Sequence, residues 1–257
     1  MAKIDVLIEL FFTDLPWEKR VAEIAACGYA AVETWGGKDP AMLQAIASAG
    51  RDHSVELVSV VLNFSGEDDV APVRPENRER FLERIDRFTD HALGAGCRQG
   101  IVTTGQIAPG GYQAQRAALV EALRAAGERA GAKEFGLNLE PLNTEVDHAG
   151  YFLDRREDAV AIVKEVGLPN VKVLYDIYHM AIMAGNQAAF LEHNLPWIGH
   201  FHVAGIPGRH EPFDGETNYP FLLAKIAAGG YDGYLGLEYK PLLSSKESLT
   251  QTRKYLQ

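Results

Sequence analysis

The sequence predicts one closed (β/α)8 barrel spanning residues 1–257, and three observations carry that expectation. Eight short β-rich runs alternate with helix-compatible segments from one end of the chain to the other. The length of 257 residues is close to the roughly 250 typical of eight-fold β/α barrels. No Pro/Ser-rich linker or shift in composition divides the chain into domains. An open doubly wound sheet is the competing arrangement, but no Gly-x-Gly-x-x-Gly follows the first strand, so the barrel is preferred.

Ile4 to Leu10 reads as the first strand, and Pro16-Trp17 opens a helix through Cys27, with Thr13 or Asp14 as its cap and Gly28 as its stop. Ala30 to Thr34 is a second strand. A helix from Pro40 to Ala49 follows, with Met42, Leu43, Ile46 and Ala47 at helical spacing. Val55 to Leu62 is the third strand and leads into a polar loop, Asn63 to Arg74, whose Gly66 and length place it on an active-site rim. Pro75-Glu76-Asn77 starts a long helix with Phe81, Ile85, Phe88 and Ala92 on one stripe. Gly100 to Thr103 is the fourth strand, Tyr112 to Glu134 a helix and Gly136 to Glu140 the fifth strand. Asp158 to Val166 is helical, Val171 to Asp176 the sixth strand and Ile177 to His193 the next helix. Ile198 to Val203 and Gly233 to Glu238 are the last two strands, separated by a helix over Phe221 to Ala228, and Lys246 to Leu256 closes the ring.

A net charge of −10 and a pI near 5.3 argue against nucleic acid as a partner, because phosphate recognition needs a basic face. No run approaches the ~18 apolar residues of a membrane span. The start at Met1-Ala2-Lys3 enters a strand-like run with no signal-peptide core, so cytoplasmic residence is the default expectation. Cys27 and Cys97, far apart and at helix-to-strand turns, are expected to be free thiols.

Four strands share one design: a short apolar run whose last polar residue can bind a metal. They end in Glu140, Asp176, His202 and Glu238. Strand alternation turns Leu137, Leu139, Val173, Tyr175, Phe201, Val203, Leu235 and Leu237 toward the helices, and the four polar residues toward the barrel axis. In such barrels active sites lie at the C-terminal strand ends, where all four are found. Three crowded carboxylates repel one another unless a cation neutralises them, and the mixed O and N set suits a divalent ion such as Mg2+ or Mn2+. Two glutamates beside that ion can take a proton α to a carbonyl and return it elsewhere, which is isomerase or epimerase chemistry.

Leu139-Glu140-Pro141-Leu142-Asn143, Tyr175-Asp176-Ile177-Tyr178-His179, Gly199-His200-Phe201-His202-Val203 and Gly236-Leu237-Glu238-Tyr239, with Pro207-Gly208-Arg209-His210-Glu211-Pro212 between the last two, resemble the hydroxypyruvate isomerase family of the xylose isomerase-like TIM barrels. That resemblance implies Glu140, Asp176, His202 and Glu238 as metal ligands, with Glu140 and Glu238 also the acid/base pair. It implies His179 and Arg209 as residues that hold substrate oxygens. It further implies interconversion of hydroxypyruvate and tartronate semialdehyde through an enediolate, with a related sugar isomerase, 2-oxo-tetronate isomerase or ketose 3-epimerase as the alternative. Relatives suggest a homo-oligomer. The loop Asn143-Thr144-Glu145-Val146-Asp147-His148 departs from the ketose 3-epimerases, which favours a smaller or different substrate.

Each residue also has a plainer reading. A lone carboxylate at a strand end is most often a helix cap or a surface charge, and only four on one face reverse that expectation. His200, one layer below His202, reads as a hydrogen-bonded core histidine, and His53, His91 and His193 as structural or surface groups. Trp35 walls the pocket or merely packs, and Arg209 holds substrate or pairs with Glu211. Two other function classes remain: metal-dependent phosphodiester cleavage, disfavoured by the acidic chain, and a noncatalytic metabolite-binding barrel.

Overall fold

In the computed structural model, which describes residues 3–63 and 70–256, eight parallel strands hydrogen-bond in chain order and close into a barrel. They are β1 (Lys3–Leu7), β2 (Ala31–Thr34), β3 (Glu56–Val61), β4 (Gln99–Val102), β5 (Gly136–Leu139), β6 (Val171–Asp176), β7 (Ile198–Val203) and β8 (Tyr234–Leu237). Closure is made by β1 against β8, with Ile4 opposite Leu235 and Val6 opposite Leu237. Around them run α1 (Trp17–Ala26), α2 (Pro40–His53), α3 (Arg78–Gly94), α4 (Tyr112–Gly131), α5 (Arg156–Val166), α6 (Ile177–Met183), α7 (Gln187–Asn194), α8 (Tyr219–Ala228) and α9 (Ser245–Leu256). Gly66 and part of its expected rim loop lie outside the described residues, as do Met1 and Ala2.

The alternation expected of the strands is observed. Leu137, Leu139, Val173, Tyr175, Phe201, Val203, Leu235 and Leu237 all sit in the main apolar layer between strands and helices, each at most 1 % exposed. Val61, Ile101 and Leu174 form a separate apolar cluster, with Trp35 packed against it. Among the positions between the outward residues, Asp5, Glu33, Ser59, Asn138 and His200 are polar and buried. Two register shifts, at Val32/Glu33 against β3 and at Val173/Leu174 against β7, adjust where Glu33, His200 and His202 fall along the axis.

Three expected elements are corrected. The first strand stops at Leu7, and Ile8–Leu10 turns as a 3-10 helix. Its middle residue explains the turn: the Glu9 carboxylate accepts from the Thr34 hydroxyl (2.5 Å) and the Trp35 backbone N–H (2.9 Å), drawing the chain over the end of β2. The helix expected over Ile177 to His193 is two helices, because Ala184 is extended and Asn186 left-handed (φ 55°). Gly185 between them is a poor helix former, and its carbonyl accepts from the Arg156 guanidinium at 2.8 Å. Neither Thr13 nor Asp14 caps α1. Pro16 occupies the N-cap position without a side-chain cap, and Arg20 pins the preceding loop through the carbonyls of Leu15 (2.8 Å) and Thr13 (2.8 Å).

The remaining elements lie where expected, with ends shifted by about a turn or less. Cys27 and Cys97 are buried free thiols. No described helix is long and apolar enough to cross a membrane.

Candidate metal centre and acid/base site

Glu140 follows the last residue of β5, Asp176 ends β6, His202 is next to last in β7 and Glu238 follows β8. One donor atom from each lies within 4.8 Å of the other three, and all four residues are buried. The strand ends therefore bring together the four residues that the sequence singles out.

Their hydrogen bonding shows what the cluster is shaped for. Asp176 uses Oδ1 to cap α6, accepting from the N–H groups of Tyr178 (2.8 Å) and His179 (3.2 Å), while Oδ2 has no hydrogen-bond partner among the described residues. His202 Nδ1 lies 2.9 Å from Glu238 Oε2 and 3.7 Å from Glu140 Oε1, yet the angles make no hydrogen bond. Buried polar atoms left unpaired cost about 1–3 kcal/mol each. A divalent cation at the point where these lone pairs converge removes that cost, and three carboxylates with one imidazole form a donor set for a hard or borderline ion. The residues present fit a metal of that kind.

Electrostatics separate the two glutamates. Burial, then the charge of Glu238, pushes the Glu140 carboxyl up to about 8. Burial likewise lifts Asp176 to about 6, against the pull of Arg209 and His202. Glu238 is desolvated too, but Arg209 and His202 outweigh burial and hold it below the usual carboxylate range. Burial disfavours the His202 imidazolium, and Glu33 with Glu238 overcomes that and raises it. In the metal-free protein the centre thus holds protons that a cation must displace.

A first expected result follows for pH. Because the folded state favours protonated Glu140, that group's contribution to stability is complete below its ordinary value of 4.5 and is lost as pH rises through about 8. Metal affinity runs the other way and should strengthen over the same window, with proton release on binding. Calorimetry in buffers of different ionisation enthalpy checks this, and binding without proton release at pH 6 would contradict it.

Arg209 and His179 border the centre. Arg209 sits at φ 58°, and its Nη2 lies 2.5 Å from Glu238 Oε2 and 3.6 Å from Asp176 Oδ2. It does not pair with Glu211, whose carboxylate accepts from the backbone N–H groups of Leu242 (3.0 Å) and Leu243 (3.1 Å). Arg209 Nε has no hydrogen-bond partner among the described residues. His179 Nδ1 accepts from the Asn143 backbone N–H (3.3 Å) and faces the Asn143 side-chain amide at 2.7 Å. Nε2 therefore carries the proton, 3.5 Å from Asp176 Oδ2 and without a hydrogen bond of its own among the described residues. Burial, then Arg209, keeps this imidazole neutral. It presents one N–H donor at the edge of the centre.

Other residues complete the centre, and of these Glu33, Asn143 and Asp147 were given no role from the sequence. Trp35 does more than pack: its indole N–H donates to Glu238 Oε1 at 3.0 Å. Asn143 orients His179, and Asp147 accepts from both the Asn143 amide (2.6 Å) and the Tyr178 hydroxyl (2.8 Å). Glu33 lies below His202 on β2, and the alternation that placed the four ligands inward applies to it equally. His200 is the buried, hydrogen-bonded histidine expected, 3.1 Å from Glu33 Oε2.

Comparison with known proteins agrees with this fold. Residues 21–255 match the model of the family described as xylose isomerase-like TIM barrel. A 2-oxo-tetronate isomerase of Cupriavidus necator is 34% identical over 262 residues, covering 100% of this chain and 99% of its own. The hydroxypyruvate isomerase of Escherichia coli is 28% identical over 254 residues, with 97% of each chain covered. Among solved structures, a protein of Brucella melitensis described as an AP endonuclease, family 2, is similar with a TM-score of 0.91 at 28% identity over 99% of both chains. A 3-keto-D-glucoside 4-epimerase of Escherichia coli, at a TM-score of 0.85 and 22% identity over 99% of this chain and 100% of its own, shares the fold. On the family match and the full-length identity to enzymes of one kind, the chain belongs to the xylose isomerase-like TIM-barrel family and is an isomerase of its hydroxypyruvate isomerase-like branch.

Proposed function

We propose that this isomerase is metal-dependent and moves a carbonyl between C2 and C3 of a short 2-oxo-3-hydroxy carboxylate, interconverting hydroxypyruvate and tartronate semialdehyde. The observation that carries the reading is the pair Glu140 and Glu238, held at the ends of β5 and β8 on one buried cation-shaped centre. When bound by Glu140, Asp176, His202 and Glu238, a divalent ion such as Mg2+ or Mn2+ supplies polarisation of the substrate carbonyl and positive charge beside the oxygen where negative charge develops.

The chain's own residues do the rest. Glu238, kept ionised by Arg209 and His202, takes the proton from C3, and the C–H electron pair becomes the C2–C3 double bond of an enediolate. A proton taken up by Glu140 goes to C2 while O3 passes its own to O2 and the C3 carbonyl forms, and Glu238 releases the proton it took, so both carboxyls end as they began. Atoms and electrons balance without an oxidant. Tartronate semialdehyde is reached with one proton moved between carbons and one between oxygens. His179 Nε2–H and Arg209 hold substrate oxygens in register with the two carboxyls.

Hydroxypyruvate is an anion and the protein carries a charge of −10, so something local must reverse the field. Arg209 is half-buried on the active-site side with no hydrogen-bond partner for Nε among the described residues, whereas Lys240 is exposed. Arg209→Met is expected to cost on the order of 1.5–3 kcal/mol, mainly as a raised KM for hydroxypyruvate. An uncharged three-carbon ketose, where turned over, should suffer much less. Equal losses on both substrates in steady-state assays would assign Arg209 to the support of Glu238 instead.

A four-carbon substrate is the second reading, favoured by the 34% full-length identity to a 2-oxo-tetronate isomerase. The reacting unit is the same, because 2-oxo-tetronate adds only a hydroxymethyl group at C3. Product analysis of the metal-loaded protein on hydroxypyruvate, 2-oxo-tetronate and ketohexoses tests the proposal. Turnover of the 2-oxo acids is expected, and turnover of ketohexoses alone would sink it.

A further inference from the structure

We propose that Glu33 is the positioning residue for His202. By accepting the Nε2–H of that imidazole, it makes Nδ1 the nitrogen that gives its lone pair to an ion held among the three carboxylates. The inference rests on the metal-centre reading above, and it extends that centre downward into the barrel.

Glu33 is 1 % exposed and meets His202 Nε2 with both oxygens, Oε1 at 3.0 Å and Oε2 at 3.2 Å. The same Oε2 lies 3.1 Å from His200 Nε2. A carboxylate only accepts, so both imidazoles point an N–H at it. Residues deeper in the barrel support that polarity. The Asn138 amide donates to Gln99 Oε1 at 3.1 Å, which leaves Gln99 Nε2 to face His200 Nδ1 at 3.5 Å. An imidazole nitrogen facing an amide N–H is the acceptor, so the His200 proton is on Nε2, aimed at Glu33. A chain of donors thus runs from β5 through β4 and β7 to one carboxylate on β2. His202, the last donor, keeps its Nε2 proton on Glu33, so Nδ1 is the nitrogen that turns to a metal.

The strand β8, separated from β2 by β1 alone, makes room for this carboxylate. Glycine weakens a strand interior, yet position 236 of β8 is glycine. A Cβ there would overlap Glu33 Oε1 and come within 2.8 Å of His202 Cδ2. Glu33, His200 and His202 are also close enough to hold an ion of their own. The donor polarity argues against one, since both Nε2 atoms carry protons and offer no lone pair.

The test measures Mn2+ binding by calorimetry and the imidazole N–H signals of 15N-histidine-labelled, Mg2+-loaded protein. Wild type should bind one ion per chain and show a protected, downfield Nε2–H from His202. Glu33→Gln should raise the Mn2+ Kd by roughly 10- to 100-fold and move that proton upfield with faster solvent exchange. Gly236→Ala, which displaces the Glu33 carboxylate while keeping its charge, should do the same. If Glu33→Gln does not fold, Gly236→Ala decides alone. Wild-type affinity with unchanged imidazole signals in the folded variants overturns the proposal, as does a stoichiometry of two ions per chain. A wild-type protein that binds no ion overturns the metal centre itself, which is a separate and recognisable outcome.

Discussion

Glu238→Gln should lose about 10²- to 10⁴-fold in kcat while keeping its fold, the loss typical of removing one acid/base group. The substitution is nearly isosteric, and Gln Oε1 can still accept from the Trp35 indole that donates to Glu238 at 3.0 Å. What disappears is the negative charge that Arg209 and His202 hold in place against burial. The same change removes one metal donor, so the ion content of the variant must be measured beside its rate. Glu140→Gln is expected to fall as far, because an amide can neither take up nor deliver the proton that goes to C2. Near-wild-type turnover in either variant, with metal still bound, would remove that residue from the chemistry.

Asp176→Asn should uncouple the fold from the metal. Asp176 serves two functions with two oxygens: Oδ1 caps α6, and Oδ2 faces the centre without a partner among the described residues. Asn keeps a capping oxygen but not a second anionic donor. Thermal stability of the metal-free protein should therefore change little, while metal affinity collapses and activity with it. Asp176→Ala should add the loss of the cap, typically about 1 kcal/mol. In wild type, saturating metal should raise the unfolding midpoint, since a ligand at 100 times its Kd stabilises by roughly 2.7 kcal/mol. Chelation should reverse that rise, and it should be absent in Asp176→Asn. An equal metal-dependent shift in both proteins would take Asp176 out of the ligand set.

Much of this centre is legible in the sequence because the barrel converts strand alternation into position. Once Leu137 and Leu139 are assigned to the helix side, Glu140 has one place to go, and the same holds for Asp176 after Tyr175 and His202 after Phe201. Glu33 obeys that logic beside Val32, but no metal-ligand pattern marks it, and its meaning depends on His200 and His202 more than 160 residues away. The partners of Arg209 were hidden for a related reason. Glu211 is two residues away in sequence, whereas Glu238 is its neighbour only after β7 and β8 pair. Local breaks were missed where a tertiary contact stabilises them. Glu9 ends β1 by bonding to β2, and Ala184-Gly185-Asn186 interrupts a helix whose apolar pattern continues across it.

If two carboxyls around a metal move a carbon-bound proton of a 2-oxo-3-hydroxy acid, that proton exchanges with solvent. Nuclear magnetic resonance of hydroxypyruvate incubated with the metal-loaded protein in deuterium oxide reads the exchange. Tartronate semialdehyde should be deuterated at C2, deuterium should wash into C3 of recovered hydroxypyruvate, and neither should occur in the chelated protein. A metal-loaded protein that leaves every carbon-bound proton of hydroxypyruvate and of 2-oxo-tetronate unexchanged would contradict that mechanism.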